Sequence, residues 1–157
     1  MKKTVLLFMV AFCMNLAFSQ SAKAIYFELG GPGLASFNFD SRFSKKEDGI
    51  GGRIGFGGFD IGGVGAVFIP VGINYLIGKD GKNYFELGGG VTPVISFDNN
   101  SSSDVFTATF GHLNFGYRLQ PKEGGFFFRA AINPIFGKGF FWPYYGGVGF
   151  GYKFRSK

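Results

Sequence analysis

Val148-Gly149-Phe150-Gly151-Tyr152-Lys153-Phe154, close to the end of the chain, alternates large apolar residues with glycine or lysine. Successive side chains of a β-strand point to opposite faces, so an alternation of this kind predicts a strand with two unlike faces. The apolar face is predicted to carry Val148, Phe150, Tyr152 and Phe154. A strand with one apolar face and one small or charged face is typical of the wall of a transmembrane β-barrel.

The first residues have the organisation of a secretory signal peptide. Lys2 and Lys3 precede an apolar segment at residues 5–12, and Ala17-Phe18-Ser19 is a small-x-small cleavage site. The apolar segment is shorter than the roughly 20 residues that a membrane-spanning helix needs. We therefore predict a cleaved signal peptide at residues 1–19 and a single barrel domain at 20–157. Cys13, the only cysteine, would be removed, so no disulfide or cysteine-metal site is expected.

The composition of the mature chain favours a barrel with an apolar outer surface. The sequence holds 28 glycines, 23 phenylalanines and 7 tyrosines, and most of the aromatic residues follow the signal peptide. The interior of an eight-stranded barrel is only just wide enough for ordinary side chains, so most of these aromatic residues must face outward. The net charge of +6 falls to +4 once Lys2 and Lys3 are removed, and this modest, scattered charge argues against a nucleic-acid partner. Lys45, Lys46, Lys79 and Lys82 are expected to be simply solvated in turns.

The mature chain is predicted to be all-β, a single closed antiparallel up-and-down barrel of eight strands. No segment has a convincing 3.6-residue period, whereas alternating segments bounded by turn residues recur. An even number of strands places both termini on the periplasmic side of the outer membrane. The predicted strands are near Ile25–Gly31, Leu34–Phe43, Ile50–Phe59, Ala66–Ile77, Tyr84–Val94, Val105–Leu119, Phe126–Phe136 and Tyr144–Phe154.

The connections between these strands carry one open alternative. Gly30-Gly31-Pro32-Gly33 is either a tight turn or a bend, so Ile25–Phe43 is either two strands or one. Asp98–Asp104 and Gly137–Pro143 are predicted to be loops on the outer side. Lys79–Lys82 and Gln120–Gly125 are predicted to lie in the periplasm, in keeping with the short inner turns of such barrels.

The interior face of the predicted strands is polar and carries charges of both signs. With the aromatic residues outward, the inward residues are Glu28, Asn38, Asp40, Arg42, Arg53, Asn74, Glu86, His112, Asn114, Arg118, Arg129, Asn133 and Lys153. Glycines between them leave room for long arginines to reach carboxylates. We predict a polar network in the lumen that includes Glu28, Arg53, Glu86, His112, Arg118 and Arg129. The alternative is a wet channel in which these residues are solvated one by one.

Several stretches together resemble the small outer-membrane β-barrel proteins of Bacteroidota. They are residues 26–33 leading into 36–40, residues 69–78, 85–90 and 115–118, and the aromatic last strand. The resemblance implies an integral protein of the bacterial outer membrane, with membrane lipid as its surroundings, and says little about activity. The last strand, Val148 to Phe154, also resembles the signal by which the barrel-assembly machinery recognises its clients. In this chain Arg155-Ser156-Lys157 follow the terminal phenylalanine.

Residues that could support catalysis or bind a metal or cofactor are few. His112 is the only histidine, and a lone strand histidine is more often a hydrogen-bonded interior residue than a catalytic base. Scattered carboxylates give no metal-ligand spacing, and the glycine clusters contain no phosphate-binding fingerprint. We therefore expect no enzyme, metal or cofactor. The leading hypothesis is a structural or interaction barrel with a mostly plugged lumen. A small passive channel and a lipid-modifying enzyme are the alternatives.

Overall fold

The computed structural model describes residues 21–98 and 105–156. The predicted signal peptide and most of the predicted loop at Asp98–Asp104 lie outside these ranges. The described residues form strands and one short 3₁₀ turn, Gly31–Gly33, and they contain no helix long and apolar enough to cross a membrane. The strands are β1 (Lys23–Gly30), β2 (Ala35–Arg42), β3 (Gly49–Ile61), β4 (Val64–Phe68), β5 (Val71–Ile77), β6 (Asn83–Asp98), β7 (Val105–Leu119), β8 (Gly125–Ile132), β9 (Ile135–Gly137), β10 (Phe140–Trp142) and β11 (Gly146–Phe154).

Three of the barrel strands are interrupted, so the eleven segments make eight barrel strands. β4 and β5 both pair with β3 and with β6, and they are separated at Ile69-Pro70. β8 and β9 both pair with β7 and are separated at Asn133-Pro134. β10 pairs with β9 and β11 with β8, with Pro143 at the break between them. Each break contains a proline, which has no N–H to donate to the ladder.

The first and last strands close the barrel. β1 pairs with β11 in antiparallel register from Lys23 opposite Phe154 to Gly30 opposite Gly147, and its other edge pairs with β2. Each of the eight barrel strands therefore has a partner on both sides, although the short segment β10 pairs only with β9 among the described residues. The structure confirms the predicted all-β class and the closed antiparallel barrel of eight strands.

Ile25–Phe43 forms two strands joined by a tight turn. Gly30 and Gly31 have φ angles of 73° and 65°, and Leu34 at 61° is the only described non-glycine residue with positive φ. Glycine adopts this region without the steric cost that a Cβ imposes, which explains the Gly30-Gly31-Pro32-Gly33 sequence. The turn therefore belongs to a hairpin, and the open alternative of a single bent strand is wrong.

The barrel has two distinct ends. The terminal end carries both ends of the described residues, near Lys23 and Phe154, and the turns at 43–48, 78–82 and 120–124, and the far end carries the other connections. The prediction of a loop at Gly137–Pro143 is largely wrong. β9 and β10 form a hairpin there, with Gly137 paired to Phe140 across a two-residue turn. Gly139 at the turn has a φ of 85°. Residues 140–142 are all aromatic, so the sequence there lacks the apolar–polar alternation that predicts the other strands.

Apolar residues lie on the outside of the barrel and polar residues on the inside, the reverse of the arrangement in a soluble protein. Large apolar side chains cover the outer wall, with Phe37 at 72%, Phe56 at 62% and Ile73 at 61% exposed. The interior instead holds arginines, carboxylates and amides that are almost entirely buried. Monomeric soluble proteins rarely expose contiguous apolar surface on this scale, whereas charged residues are rarely buried unless paired.

Candidate functional site

The structure places every polar residue that the sequence assigned to the lumen inside the barrel. The most exposed of them, Arg53, is 6% exposed, and Glu28, Asp40, Arg42, Arg129 and Lys153 are fully buried. On β11, Val148, Phe150, Tyr152 and Phe154 are 39–52% exposed on the outer face. Gly149 and Lys153 on the same strand are buried.

Seven charged side chains of the lumen form one continuous chain in which arginine and carboxylate alternate. Arg53 and Arg129 both bind Glu28. Arg129 also lies 3.3 Å from Glu86 Oε1, and Arg118 lies 3.6 Å from Glu86 Oε2. Arg118 and Arg42 then share Asp40 Oδ1, at 2.8 and 2.6 Å. The order along the chain is Arg53, Glu28, Arg129, Glu86, Arg118, Asp40 and Arg42. Both ends are guanidinium groups, so the chain has one positive charge in excess.

Asparagine amides complete the polar contacts beside this chain. Asn74 donates to Asp40 Oδ2 at 2.6 Å and to Glu86 Oε1 at 3.3 Å, and it accepts from Arg42. Asn114 donates to Glu86 Oε1 at 2.8 Å and accepts from Arg129. Asn38 accepts from Arg53 Nε at 3.1 Å. An amide presents both a donor and an acceptor, so Asn74 and Asn114 each satisfy a carboxylate and an arginine together.

An aromatic pair lies among the arginines. Tyr26 stacks on Phe127 with a centroid distance of 4.7 Å, and Phe127 is fully buried. The Arg118 guanidinium lies 4.7 Å from the Phe127 ring, while those of Arg53 and Arg129 each lie 5.7 Å from the Tyr26 ring. Ring faces attract cations, most strongly where water is excluded, so the pair supports the excess positive charge of the chain.

Glu86 is the least tightly held carboxylate of the chain. Its Oε2 and the Arg118 Nη1 that faces it at 3.6 Å both lack a hydrogen bond. Glu28, in contrast, is bound directly by two arginines, one at each oxygen. The ion-pair contacts of the charge chain are therefore shorter at Glu28 and Asp40 than at Glu86, which lies in the middle of the chain.

Glycines provide the space that these side chains occupy. A Cβ at Gly51 would overlap the Arg42 guanidinium, and one at Gly55 would overlap the Asn38 amide. On β11, a Cβ at Gly149 would lie 3.0 Å from Arg129 Cγ. The glycines on the interior face thus allow long arginines to lie within an eight-stranded barrel.

The charge chain is enclosed at the far end of the barrel. The turn Gly31-Pro32-Gly33 is buried and folds over Glu28, such that a Cβ at Gly31 would lie 2.7 Å from Glu28 Oε2. A cavity of about 10 Å³ remains nearby, bordered by residues that include Arg53, Glu86 and His112. That volume suffices for about one water molecule.

Polar contacts also cross the terminal end. Lys153 donates to Glu47 Oε1 at 2.9 Å and to the Lys122 carbonyl at 2.7 Å. Ser156 donates to the same Glu47 oxygen at 2.7 Å, and Gln120 donates to the Glu47 carbonyl at 3.2 Å. The 43–48 turn is therefore attached to the last strand and to the 120–124 turn across the end of the lumen.

His112 lies in the interior but is not part of the charge chain. Its Nδ1 is 3.2 Å from Thr92 Oγ1, and it is 3% exposed. Within residues 21–98 and 105–156, no group of three or more histidine, cysteine or acidic residues is arranged to hold a metal ion. Of the six predicted network residues, the structure brings Glu28, Arg53, Glu86, Arg118 and Arg129 together and leaves His112 beside them.

Sequence reasoning omitted some residues from the core of the network. The predicted network leaves out Asp40 and Arg42, which are among the predicted lumen residues, although Asp40 joins Arg42 to Arg118. Tyr26 and Phe127 were missed because aromatic residues were assigned outward. Strand parity could have found both, since each lies two positions from a charged lumen residue, Glu28 or Arg129.

Comparisons of the chain with protein-family models, with curated proteins and with solved structures found no significant match. The functional argument therefore depends on the barrel itself.

Proposed function

We propose that this protein is an integral β-barrel of the bacterial outer membrane, with a structural or interaction role and a closed polar lumen. The observation that carries the proposal is the distribution of polarity: exposed large apolar side chains surround a buried chain of arginines and carboxylates. An apolar outer band around a polar interior is the arrangement of transmembrane barrels. The predicted signal peptide supports export to that membrane.

The two ends of the barrel support an orientation. Both described termini lie at one end, as expected for the periplasmic side, although the far-end turns at 62–63 and 138–139 are shorter than the turns at the terminal end. The far end would then face the exterior. Membrane lipid would surround the wall, and the barrel-assembly machinery would act on β11 during insertion. The resemblance to the small barrels of Bacteroidota is part of this proposal.

Cell fractionation tests the location. The mature chain should accompany outer-membrane markers, and its mobility on a gel should change on heating, as that of a folded barrel does. Recovery as a soluble periplasmic protein would refute the proposal.

The buried charge chain favours a closed barrel over the passive channel. Ions need a continuous water path, and the guanidinium and carboxylate groups of the lumen are almost inaccessible to water. Planar-bilayer recordings should show no steady single-channel steps, whereas reproducible steps would favour the channel. An assay for lipid modification, comparing the protein with His112→Ala, tests the enzyme alternative, and we expect no turnover in either.

A further inference from the structure

A cleft of about 490 Å³ lies at the terminal end of the barrel. The turns at 43–48, 78–82 and 120–124 and the segment after β11 all contribute to its walls. These elements come from different parts of the barrel circumference, so the cleft lies among the turns and not on the apolar wall. Its volume falls within the range of small-molecule binding sites.

Cationic side chains dominate the walls of this cleft. The basic residues are Lys45, Lys46, Lys79, Lys122 and Arg155. Arg155 pairs with Glu123 at 3.0 Å. Over the described part of the chain, none of the four lysines forms an ion pair. They are exposed and lie on three separate turns.

The acidic residues of the cleft are mostly neutralised by partners. Glu47 is bound by the buried Lys153 at 2.9 Å, and Glu123 is paired with Arg155. Asp48 is the remaining acid of the lining. Four unpaired lysines and one unpaired acid, Asp48, therefore line the same cleft, which leaves an excess of three positive charges. Simple solvation of lysines in separate turns, the sequence-based expectation, does not account for their convergence.

We propose that this cleft binds a small anion that carries two or more phosphate groups. A multivalent anion suits lysines that approach from three turns, because each can meet a different charged group. Lysine binds phosphate as a compact point charge, whereas planar carboxylates are matched better by the fork of arginine. Tyr84, which also lines the cleft, has a hydroxyl that can donate to a phosphate oxygen.

The site is independent of the membrane proposal, since turn residues form it whatever surrounds the barrel wall. Inorganic pyrophosphate is the probe, titrated by calorimetry into the folded protein in a neutral detergent. We expect saturable binding at one site per chain that weakens with added salt. Lys79→Gln and Lys122→Gln should each weaken binding about fivefold, the effect of losing about one exposed charge contact.

Lys138→Gln is the matched control, because Lys138 lies in the β9–β10 turn at the opposite end. It removes the same charge and should leave pyrophosphate binding unchanged. An equal loss in Lys138→Gln and Lys79→Gln, or no saturable binding by the unmodified protein, would overturn the proposal. Circular dichroism and heat-dependent mobility establish that each variant is folded before it is titrated.

The phosphate groups could belong to lipid headgroups or to a soluble compound. Repeating the titration in nanodiscs that contain cardiolipin, whose headgroup carries two phosphates, and in nanodiscs of phosphatidylcholine alone separates these sources. If pyrophosphate binds more weakly in the cardiolipin nanodiscs, and if Lys79→Gln removes this difference between the lipids, the site is assigned to an anionic headgroup. Equal affinity in both lipids would assign it to a soluble anion.

Discussion

Asp40 and Arg118, 78 residues apart in the sequence, meet inside the barrel, where Arg118 Nη2 donates to Asp40 Oδ1 at 2.8 Å. Both side chains are 1% exposed. Their strands, β2 and β7, are not neighbours in the sheet, so the pair crosses the lumen. Glu28 and Arg129 connect β1 with β8, between which only β11 lies. The charge chain therefore joins opposite walls of the barrel as well as filling it.

Removing one member of this chain should be costly. In Glu28→Gln, Arg53 loses the carboxylate that it binds and Arg129 is left with Glu86, while both arginines stay buried. Breaking a buried ion pair from one side typically costs about 3–5 kcal/mol. We expect a loss of that size in the free energy of unfolding, measured by urea titration in lipid vesicles.

Glu123→Gln is the control for that experiment. It breaks the Arg155–Glu123 pair, whose side chains are 75% and 72% exposed. Such pairs contribute about 0–1 kcal/mol. Equal losses in Glu28→Gln and Glu123→Gln would mean that the lumen is hydrated.

The sequence was sufficient for the barrel and for the inward polar residues, because period-two alternation assigns each residue to a face. It could not assign partners. Arg129 meets Glu28 from 101 positions away, and that contact depends on the stagger between strands, which no local pattern contains. The inward position of Phe127 was also hidden, because an aromatic residue among arginines looks like an outer-wall residue in a barrel so rich in phenylalanine.

The closeness of neighbouring strands predicts different effects for two glycines of β11. A Cβ at Gly151 would overlap the Ile25 carbonyl and lie 2.5 Å from Tyr26 Cα, so the backbone of β1 would have to move. Gly151→Ala should cost about 1–3 kcal/mol in unfolding free energy. At Gly146 the nearest atom would be the Ala131 carbonyl oxygen at 3.6 Å, so Gly146→Ala should be close to neutral. A neutral Gly151→Ala in the same urea titration would refute the close packing of β1 on β11.

A charge on the outer wall should be destabilising if lipid surrounds it. Phe150 is 48% exposed on the outer face of β11. An arginine on the lipid face costs about 2–4 kcal/mol near the bilayer midplane and much less near its edges. Phe150→Arg should therefore lower stability in vesicles far more than Ile61→Arg, at the tip of the β3–β4 hairpin. Similar stabilities of the two variants would count against an apolar environment around β11.

Asp80 should titrate at unusually low pH in the 78–82 turn. Its Oδ2 accepts a hydrogen bond from the Asn83 side-chain Nδ2 at 2.5 Å. Its Oδ1 accepts hydrogen bonds from the backbone N–H groups of Asn83 and Lys82 at 2.7 and 2.9 Å. These hydrogen bonds, chiefly that from the Asn83 side chain, lower the pKa of Asp80 from 3.8 to about 2. Because the folded-state pKa is depressed, the stabilisation is present above pH 3.8 and is lost as the pH falls through about 2. Carboxyl NMR should show this midpoint, and Asn83→Ala should raise it. A midpoint near 3.8 in the unmodified protein would contradict the turn geometry.

Lipid quenching of tryptophan fluorescence tests most directly whether the apolar wall lies in a bilayer. In a Trp142→Phe background, which removes the only native tryptophan, Phe150→Trp places one fluorophore on the outer face of β11. In reconstituted vesicles we predict blue-shifted emission, strong quenching by doxyl-labelled acyl chains and little quenching by aqueous iodide. Emission typical of water, with iodide as the effective quencher and no effect of the labelled lipid, would contradict the membrane assignment.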